Sequence, residues 1–140
     1  MFVIILYFGL LFGDRELTAA VLILEAGGET DTRAMYAVME VIRNRCINKN
    51  KDILSTILKD RQFSCLNNLS PQKAINIAKQ HPKWNLAVEI TWKKSTNFTF
   101  GADHYYHTNL KPVWRLKMKK TARIGNHVFY RSTKKKKKNS

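Results

Sequence analysis

The sequence predicts an α+β fold in which helices come first and a small antiparallel sheet comes last. Over Leu17–Trp92, apolar residues recur at the three- and four-residue spacing of amphipathic helices. From Asn97 onward the chain becomes rich in threonine and aromatic residues, which favours strands. Because the chain has 140 residues, we expect one domain, spanning residues 14–131.

The first predicted helix starts at Asp14, a residue type that caps helix N termini, and ends at the pair Gly27-Gly28. Its helical spacing predicts one buried face. The residues expected on that face are Leu17, Ala20, Val21 and Leu24.

Four further helices are predicted from capping residues and apolar spacing. They are a second helix from Thr30, Asp31 or Thr32 to about Asn48, a third opened by Asp52, a fourth from Ser70-Pro71 to His81, and a fifth over Trp84–Trp92. After them, His104–His107 is predicted to form a strand. Glycine at the first of the two turn positions Gly125-Asn126 favours a type II′ hairpin joining Thr121–Ile124 to His127–Tyr130.

The chain is strongly basic, with a formal net charge of +15, and part of that charge lies in the run Lys134–Lys138. This balance predicts attraction to a polyanion, which could be nucleic acid, an anionic membrane surface or the anionic polymers of a bacterial wall. Residues 132–140 are expected to form a disordered basic tail.

The chain opens with an apolar run, Phe2–Phe12, that is too short to span a bilayer and suits the apolar part of a secretory signal. It lacks a basic start and a clear A-x-A cleavage site. We expect residues 1–13 to be an export signal or short anchor, with a buried N-terminal segment of the domain as the alternative. Cys46 and Cys65 fit no zinc spacing, and both a disulfide and two core thiols are compatible with them.

Glu25 falls in the last turn of the first helix, directly before the glycine pair. Apolar neighbours and the negative end of the helix dipole both disfavour its ionised form, so we predict a raised pKa for Glu25. A carboxylic acid that stays protonated near neutral pH can give its proton to a departing glycosidic oxygen. The alternative is an exposed residue at a helix end, with the glycines serving only as a cap.

Five segments, taken in order, resemble the SleB-type cell-wall hydrolases, the family of spore-cortex-lytic enzymes and their phage and bacterial relatives. They are LILEAGGET at Leu22–Thr30, AVMEVIRNR at Ala37–Arg45, RQFSCLN at Arg61–Asn67, FGADHYYHTNLKPVW at Phe100–Trp114 and IGNHVFY at Ile124–Tyr130. The resemblance implies a lysozyme-like α+β fold and no cofactor. It also implies cleavage of peptidoglycan between N-acetylmuramic acid and N-acetylglucosamine, in the best-studied members by lytic transglycosylation.

The resemblance further implies roles for individual residues. In the family the acid lies in a segment E-A-R-G-E, which corresponds here to Glu25–Glu29, so Glu25 is implied to be the general acid/base. Gly27 stands where the family usually has arginine, a change expected to affect rate and specificity more than reaction type. Glu29 is the candidate second carboxylate if the enzyme hydrolyses the bond. Capping the next helix is the alternative role for Glu29.

Five further residues are expected to bind substrate, and they are Gln62, Ser64, Tyr106, His107 and Asn109. The family places the segment that carries Gln62 and Ser64 along the cleft, with hydrogen bonding inside the loop as the alternative. The residues after His104 bring aromatic faces and amide donors, which suit sugar rings.

Neighbouring side chains in a strand point to opposite faces of the sheet, so Tyr105 and Tyr106 should not both line a groove. We therefore assign Tyr105 to the core and Tyr106 to the groove. Trp114 and Phe129 are also assigned to the core and left out of the site.

Two other functions compete with glycan cleavage. One alternative is a zinc-dependent peptidoglycan amidase, whose candidate metal ligands would be Asp103, His104, His107 and His127. His-x-x-His on a strand places its two imidazoles on opposite faces, so no metal is expected. A basic nucleic-acid-binding domain would use the lysine run, although no recognition motif supports a specific nucleic-acid partner.

The leading expectation is a monomeric enzyme that is exported to the cell wall or periplasm, or released there by phage lysis. Its positive charge would hold it on peptidoglycan, on other anionic wall polymers or on a membrane surface.

Overall fold

A computed structural model describes residues 2–59 and 63–133, and of residues 2–12 it describes the backbone alone. The helices are α1 (Phe2–Ala26), α2 (Arg33–Lys49), α3 (Ile53–Leu58), α4 (Pro71–Ala78) and α5 (Trp84–Trp92), and the strands are β1 (His104–His107), β2 (Lys119–Ile124) and β3 (His127–Arg131). Short 3₁₀ turns at Ser64–Leu66 and Val113–Lys117 were not expected from the sequence. Helices before strands confirm the predicted α+β class.

The second half of α1 is the centre of the domain. Every residue from Leu17 to Ile23 is buried, and α1 packs against each of the other four helices. The spacing predicted a single buried face that included Leu24, but Leu24 is only partly buried. A helix that is apolar on all sides is stable only when neighbours surround it, and this arrangement places the end of α1 inside the domain.

Asp14 does not cap α1, because the helix is continuous from Phe2 through this residue. The Asp14 carbonyl instead accepts a hydrogen bond from Thr18 Oγ1 at 2.5 Å, as happens inside a helix. No helix in the described ranges is both long and apolar enough to cross a membrane. The role of residues 1–13 as an export signal or anchor stays a prediction.

Two helix starts follow the predicted capping chemistry. The Asp52 carboxylate accepts the backbone N–H of Ser55 at 2.7 Å, and the Ser70 hydroxyl accepts that of Lys73 at 3.2 Å. Pro71 occupies the first turn of α4, where its missing N–H costs nothing. Local side-chain chemistry therefore sets where α3 and α4 begin.

The three strands form an antiparallel sheet in the order β1-β3-β2. The predicted hairpin is confirmed, and its strands extend slightly beyond the predicted ends. Gly125 has φ +55°, and Asn126 is not among the residues with positive φ, which is the pattern of a type II′ turn. Tyr105 pairs with Phe129 and Tyr106 with Val128, so β1 is an edge strand beside β3.

The chain between α5 and β1, where strands were expected from Asn97 onward, is a loop organised by one buried carboxylate. Glu40 in α2 accepts hydrogen bonds from the backbone N–H groups of Phe98 and Thr99, both at 2.9 Å. The hydroxyls of Thr96 and Thr99 donate to the same carboxylate. Backbone donors that are bonded to a side chain do not pair with a neighbouring strand, so this segment stays outside the sheet.

The folded domain extends past the predicted start of the basic tail at residue 132. The backbone N–H of Ser132 donates to Asp103 at 2.8 Å, and its hydroxyl donates to the same carboxylate. Thr133 Oγ1 donates to the Lys117 carbonyl at 3.0 Å. The run Lys134–Lys138 lies outside the described residues.

Candidate active site

A groove of about 510 Å³ lies between the helices and the sheet. The helical side contributes Glu25, Arg45 and Ser64. The sheet contributes Tyr105, Tyr106, His107 and His127, and the segment after β1 contributes Leu110, Lys111, Pro112 and Trp114. The groove is therefore rich in aromatic rings and cations.

Glu25 reaches this groove from the C-terminal end of α1, and its surroundings act on its pKa in opposite directions. Burial raises the pKa of Glu25, as the sequence predicts. The thiol and backbone N–H of Cys65, the charge of Arg45 and the hydroxyl of Tyr105 favour the carboxylate and offset part of this rise in pKa. The net effect is a raised pKa for Glu25, while groups that stabilise its anion are already in place.

The donors around Glu25 are themselves kept protonated. Burial, followed by the nearby Glu25 charge, raises the pKa of the Cys65 thiol and of the Tyr105 hydroxyl. Both groups therefore keep their proton near neutral pH and can donate it in a hydrogen bond to the Glu25 carboxylate.

The backbone of Glu25 is fixed by His127 of β3, whose Nε2 lies 3.1 Å from the Glu25 carbonyl oxygen. A carbonyl only accepts, so Nε2 carries the proton. The other ring nitrogen, Nδ1, lies 3.1 Å from Glu29 Oε1, a close polar contact without hydrogen-bond alignment. Burial lowers the pKa of His127, and the Glu29 charge offsets part of that shift.

The Glu29 carboxylate ties the sheet to the end of α1. It accepts the backbone N–H of Asn126 at 3.2 Å and the Asn126 side-chain amide at 3.4 Å. A Cβ added to Gly125 would lie 2.6 Å from Glu29 Oε2, so the turn passes directly over this carboxylate. Glu29 therefore holds the hairpin turn and does not cap α2, and it is not one of the residues that line the groove.

A family model for cell wall hydrolases matches residues 29–130, which is 102 of the 140 residues. The chain belongs to the cell wall hydrolase family. The matched range begins four residues after Glu25, so the assignment of that acid depends on the geometry described above. Comparison with curated proteins gave no match.

Two solved structures are similar to this hydrolase in fold. The catalytic domain of the germination-specific lytic transglycosylase SleB from Bacillus anthracis is 21% identical, with a TM-score of 0.59 over 85% of this chain and 94% of that one. The catalytic domain of the Bacillus cereus SleB protein is 23% identical, with a TM-score of 0.57 over 85% of this chain and 90% of that one. These matches confirm the expected fold.

Ser64, Tyr106 and His107 line the groove of the hydrolase together with Glu25, so the structure brings four predicted site residues together. Asn109 lies in the turn after β1, where its backbone N–H donates to His107 Nδ1 at 3.2 Å, and it is not among the lining residues. Gln62 lies outside the described residues.

Tyr105 packs against the hydrophobic core, as predicted, but it also lines the groove together with Tyr106, so the expectation that only one of the two would line it was wrong. Their side chains do point to opposite faces: Tyr105 contacts Phe129 and His127, whereas Tyr106 stacks on the Tyr130 ring at 5.7 Å. The groove meets both faces because β1 is the edge strand of the sheet.

Trp114 also lines the groove, contrary to its assignment to the core, and its ring packs edge-on against Tyr106 at 6.0 Å. Phe129 is fully buried, as predicted. The difference arises because Trp114 lies in a 3₁₀ turn beside the edge strand, whereas Phe129 lies on the central strand.

Arg45 is the main site residue that the sequence analysis of the hydrolase missed. Its Nε donates to the Asp103 carbonyl at 2.6 Å, and its guanidinium carbon lies 5.1 Å from the centre of the Phe63 ring. Arg45 continues the buried stripe of Val38 and Ile42 at i, i+4, i+7 spacing. A cation in an apolar stripe was the signal that could have identified it.

Gly27, the departure from the family pattern, has no space for a side chain. A Cβ at this position would lie 2.5 Å from the Ile23 carbonyl oxygen. The Gly27 N–H donates to that oxygen at 2.7 Å, which closes the end of α1 tightly. The positive charge that acts on the pKa of Glu25 comes instead from Arg45 of α2.

The cysteines of the hydrolase are both free thiols. In the ranges that the structure describes, no group of three or more His, Cys, Asp or Glu side chains could hold a metal ion. His104 contacts Asp103 at 3.0 Å and His107 lies in the groove, so these two histidines do not converge.

Proposed function

We propose that the hydrolase cleaves peptidoglycan glycan strands between N-acetylmuramic acid and N-acetylglucosamine as a lytic transglycosylase, with Glu25 as the single general acid/base. The observation that carries this proposal is that Glu25 is the one carboxylate among the described residues lining the groove. Most glycosidases use two carboxylates, the second to activate water or to attack the sugar. One carboxylate suffices when the nucleophile is a hydroxyl of the substrate.

The reaction needs Glu25 first as an acid and then as a base. Protonated Glu25 gives its proton to the bridging oxygen, and the bond from that oxygen to muramoyl C1 breaks. The muramoyl 6-hydroxyl then attacks C1, and its proton passes to the Glu25 carboxylate. A 1,6-anhydro ring forms, no water is consumed, and the acid is regenerated.

The surroundings of Glu25 suit both steps. Burial favours the neutral acid that begins the reaction, and the donors at Cys65 and Tyr105 favour the anion that forms after proton transfer. The guanidinium of Arg45 acts in the same direction as these donors. An acid/base works best when its pKa lies near the operating pH, and the net rise in the pKa of Glu25 moves it from its usual value towards neutral pH.

Replacing Glu25 by glutamine tests the proposal, because the amide keeps the shape of the side chain and cannot transfer the proton. We expect kcat for glycan cleavage to fall by roughly 10²- to 10⁴-fold, the usual contribution of general acid–base catalysis. Glu16→Gln is the matched control, because Glu16 lies in the same helix, is half exposed and faces Lys79. Full activity in Glu25→Gln would exclude the mechanism.

Mass spectrometry of the muropeptides released by the wild type identifies the bond and the chemistry together. Anhydro-muramoyl ends, lighter than hydrated ends by one water, are the expected product. Hydrated ends would show that water is the nucleophile and would return Glu29 to consideration as the second carboxylate. A chelator should leave cleavage unchanged, whereas loss of peptide-stem release on chelation would favour a zinc amidase.

We also propose that the hydrolase acts after export to the cell wall or periplasm, or after phage lysis, as a monomer. Its net charge of +15 supports attraction to peptidoglycan, other anionic wall polymers or a membrane surface. Sedimentation with purified walls should then weaken steeply as salt is raised, because screening removes the charge attraction.

A further inference from the structure

The groove has an excess of positive charge that the acid/base chemistry does not use. Its lining includes two cationic side chains, Arg45 and Lys111, and a single carboxylate, Glu25. Arg45 is bound to the Asp103 carbonyl and lies in the electrostatic surroundings of Glu25. Lys111 is exposed, and its ammonium group makes no hydrogen bond or ion pair with any residue in the described ranges.

His107 supplies a second donor to the groove that Lys111 lines. The backbone N–H of Asn109 donates to His107 Nδ1 at 3.2 Å, so that nitrogen presents its lone pair. Because Nδ1 accepts, Nε2 is the ring nitrogen that carries a proton and can donate it to a ligand. An ammonium group and an imidazole N–H are both partners for an oxygen anion.

The backbone around Lys111 is restrained, so its side chain starts from a defined backbone position. The Leu110 N–H donates to the His107 carbonyl at 2.8 Å, which closes a tight turn between β1 and Lys111. The following residue, Pro112, fixes its own φ at −65° and limits the backbone of Lys111 to extended conformations.

We propose that Lys111 and His107 form a subsite for a carboxylate carried on the lactyl substituent of the muramoyl sugar. The inference rests on the proposed function and adds the substrate class: glycan strands with an anionic substituent next to the scissile bond. The carboxylate belongs to the stem peptide when the stem is present and to the lactyl group itself when the stem has been removed. Strands whose carboxyl groups are converted to neutral amides lack the recognised group.

The test measures kcat and KM on three forms of the same glycan strands: stem-bearing, stripped of stems by an amidase, and stem-bearing with amidated carboxyl groups. The wild type should have a kcat/KM at least about tenfold higher on its preferred anionic form than on amidated strands. Lys111→Gln should remove that preference through KM, with kcat retained. A tenfold loss corresponds to about 1.4 kcal/mol of binding free energy.

Lys117→Gln is the matched control, because Lys117 is exposed in the same segment but does not line the groove. Both variants lose one positive charge and keep the run Lys134–Lys138, so general attraction to anionic strands falls equally in both. A preference for stem-bearing over stripped strands would assign the carboxylate to the stem, and the reverse preference would assign it to the lactyl group.

The proposal is overturned if the wild type does not distinguish amidated from anionic strands, or if Lys111→Gln lowers kcat/KM equally on all three forms. Its failure is distinguishable from failure of the catalytic proposal. Binding of strands to a Glu25→Gln protein, with and without Lys111→Gln, reports the subsite without any cleavage. Selective loss of binding to anionic strands in the double variant supports the subsite even if Glu25 proves not to be the acid.

Discussion

Replacing Tyr105 by phenylalanine removes a single hydroxyl from the surroundings of Glu25 and leaves the ring in place. That hydroxyl is one of the groups that favour the ionised form of Glu25 and so hold its pKa down against the effect of burial. Without it, the pKa of Glu25 should rise further. Activity that needs the protonated acid should then persist to higher pH.

The size of the effect follows from the type of bond lost. A hydrogen bond to a charged group contributes about 1.5–3 kcal/mol, which is roughly ten- to hundredfold in the ratio of acid to carboxylate. Because Cys65 and Arg45 still stabilise the carboxylate, we expect the lower end of this range. On the alkaline side of the profile, the fraction of active enzyme should therefore rise roughly tenfold.

The assay is kcat/KM for muropeptide release as a function of pH, compared between the wild type, Tyr105→Phe and Tyr106→Phe. Tyr106→Phe removes the same atom from the neighbouring residue, whose hydroxyl lies 3.5 Å from that of Tyr130 and does not act on Glu25. Its alkaline limb should match the wild type. Thermal unfolding checks that both variants stay folded.

An alkaline limb that stays in place in Tyr105→Phe, or moves to lower pH, would contradict this account of the site. An equal movement in Tyr106→Phe would show that the effect is general to the sheet and not specific to the Glu25 hydrogen bond.

Three stability predictions follow from buried contacts and are measured by urea or thermal unfolding. Gly125→Ala should cost about 1–3 kcal/mol, because Gly125 has φ +55° and a Cβ there would meet Glu29; unchanged stability would contradict this. Glu40→Ala should cost at least about 2 kcal/mol, because the buried N–H and hydroxyl of Thr99 lose their acceptor. Burial raises the pKa of Asp103, but hydrogen bonds from His104 and Ser132 outweigh it and hold that pKa well below its usual range. Its stabilisation is thus present above about pH 4 and lost as the pH falls further, so the wild type and Asp103→Asn should converge in acid.

The features predicted correctly from the sequence are those set by neighbouring residues. Asp52 and Ser70 cap their helices through hydrogen bonds to the backbone N–H three residues further along the chain. The hairpin forms around a turn that needs a positive φ at Gly125. The direction of the pKa shift at Glu25 was also predictable, because an apolar helix in a domain of this size has to be buried. Features that depend on such local interactions can be predicted without the tertiary structure.

Residues whose roles depend on distant partners were not predictable in the same way. Glu29 was a candidate second carboxylate, but its partner Asn126 lies 97 positions along the chain. The alternation of side chains along a strand places Tyr105 and Tyr106 on opposite faces of the sheet. It could not show that β1 is an edge strand, where a groove can meet both faces. The sequence alone determined the α+β class, the starts of α3, α4 and α5, and the position of Glu25 in the last turn of α1. Only the tertiary structure decided which side chains surround Glu25. Burial and charge act between residues that are close in space but far apart in the sequence, and no local sequence pattern shows which distant residues come together.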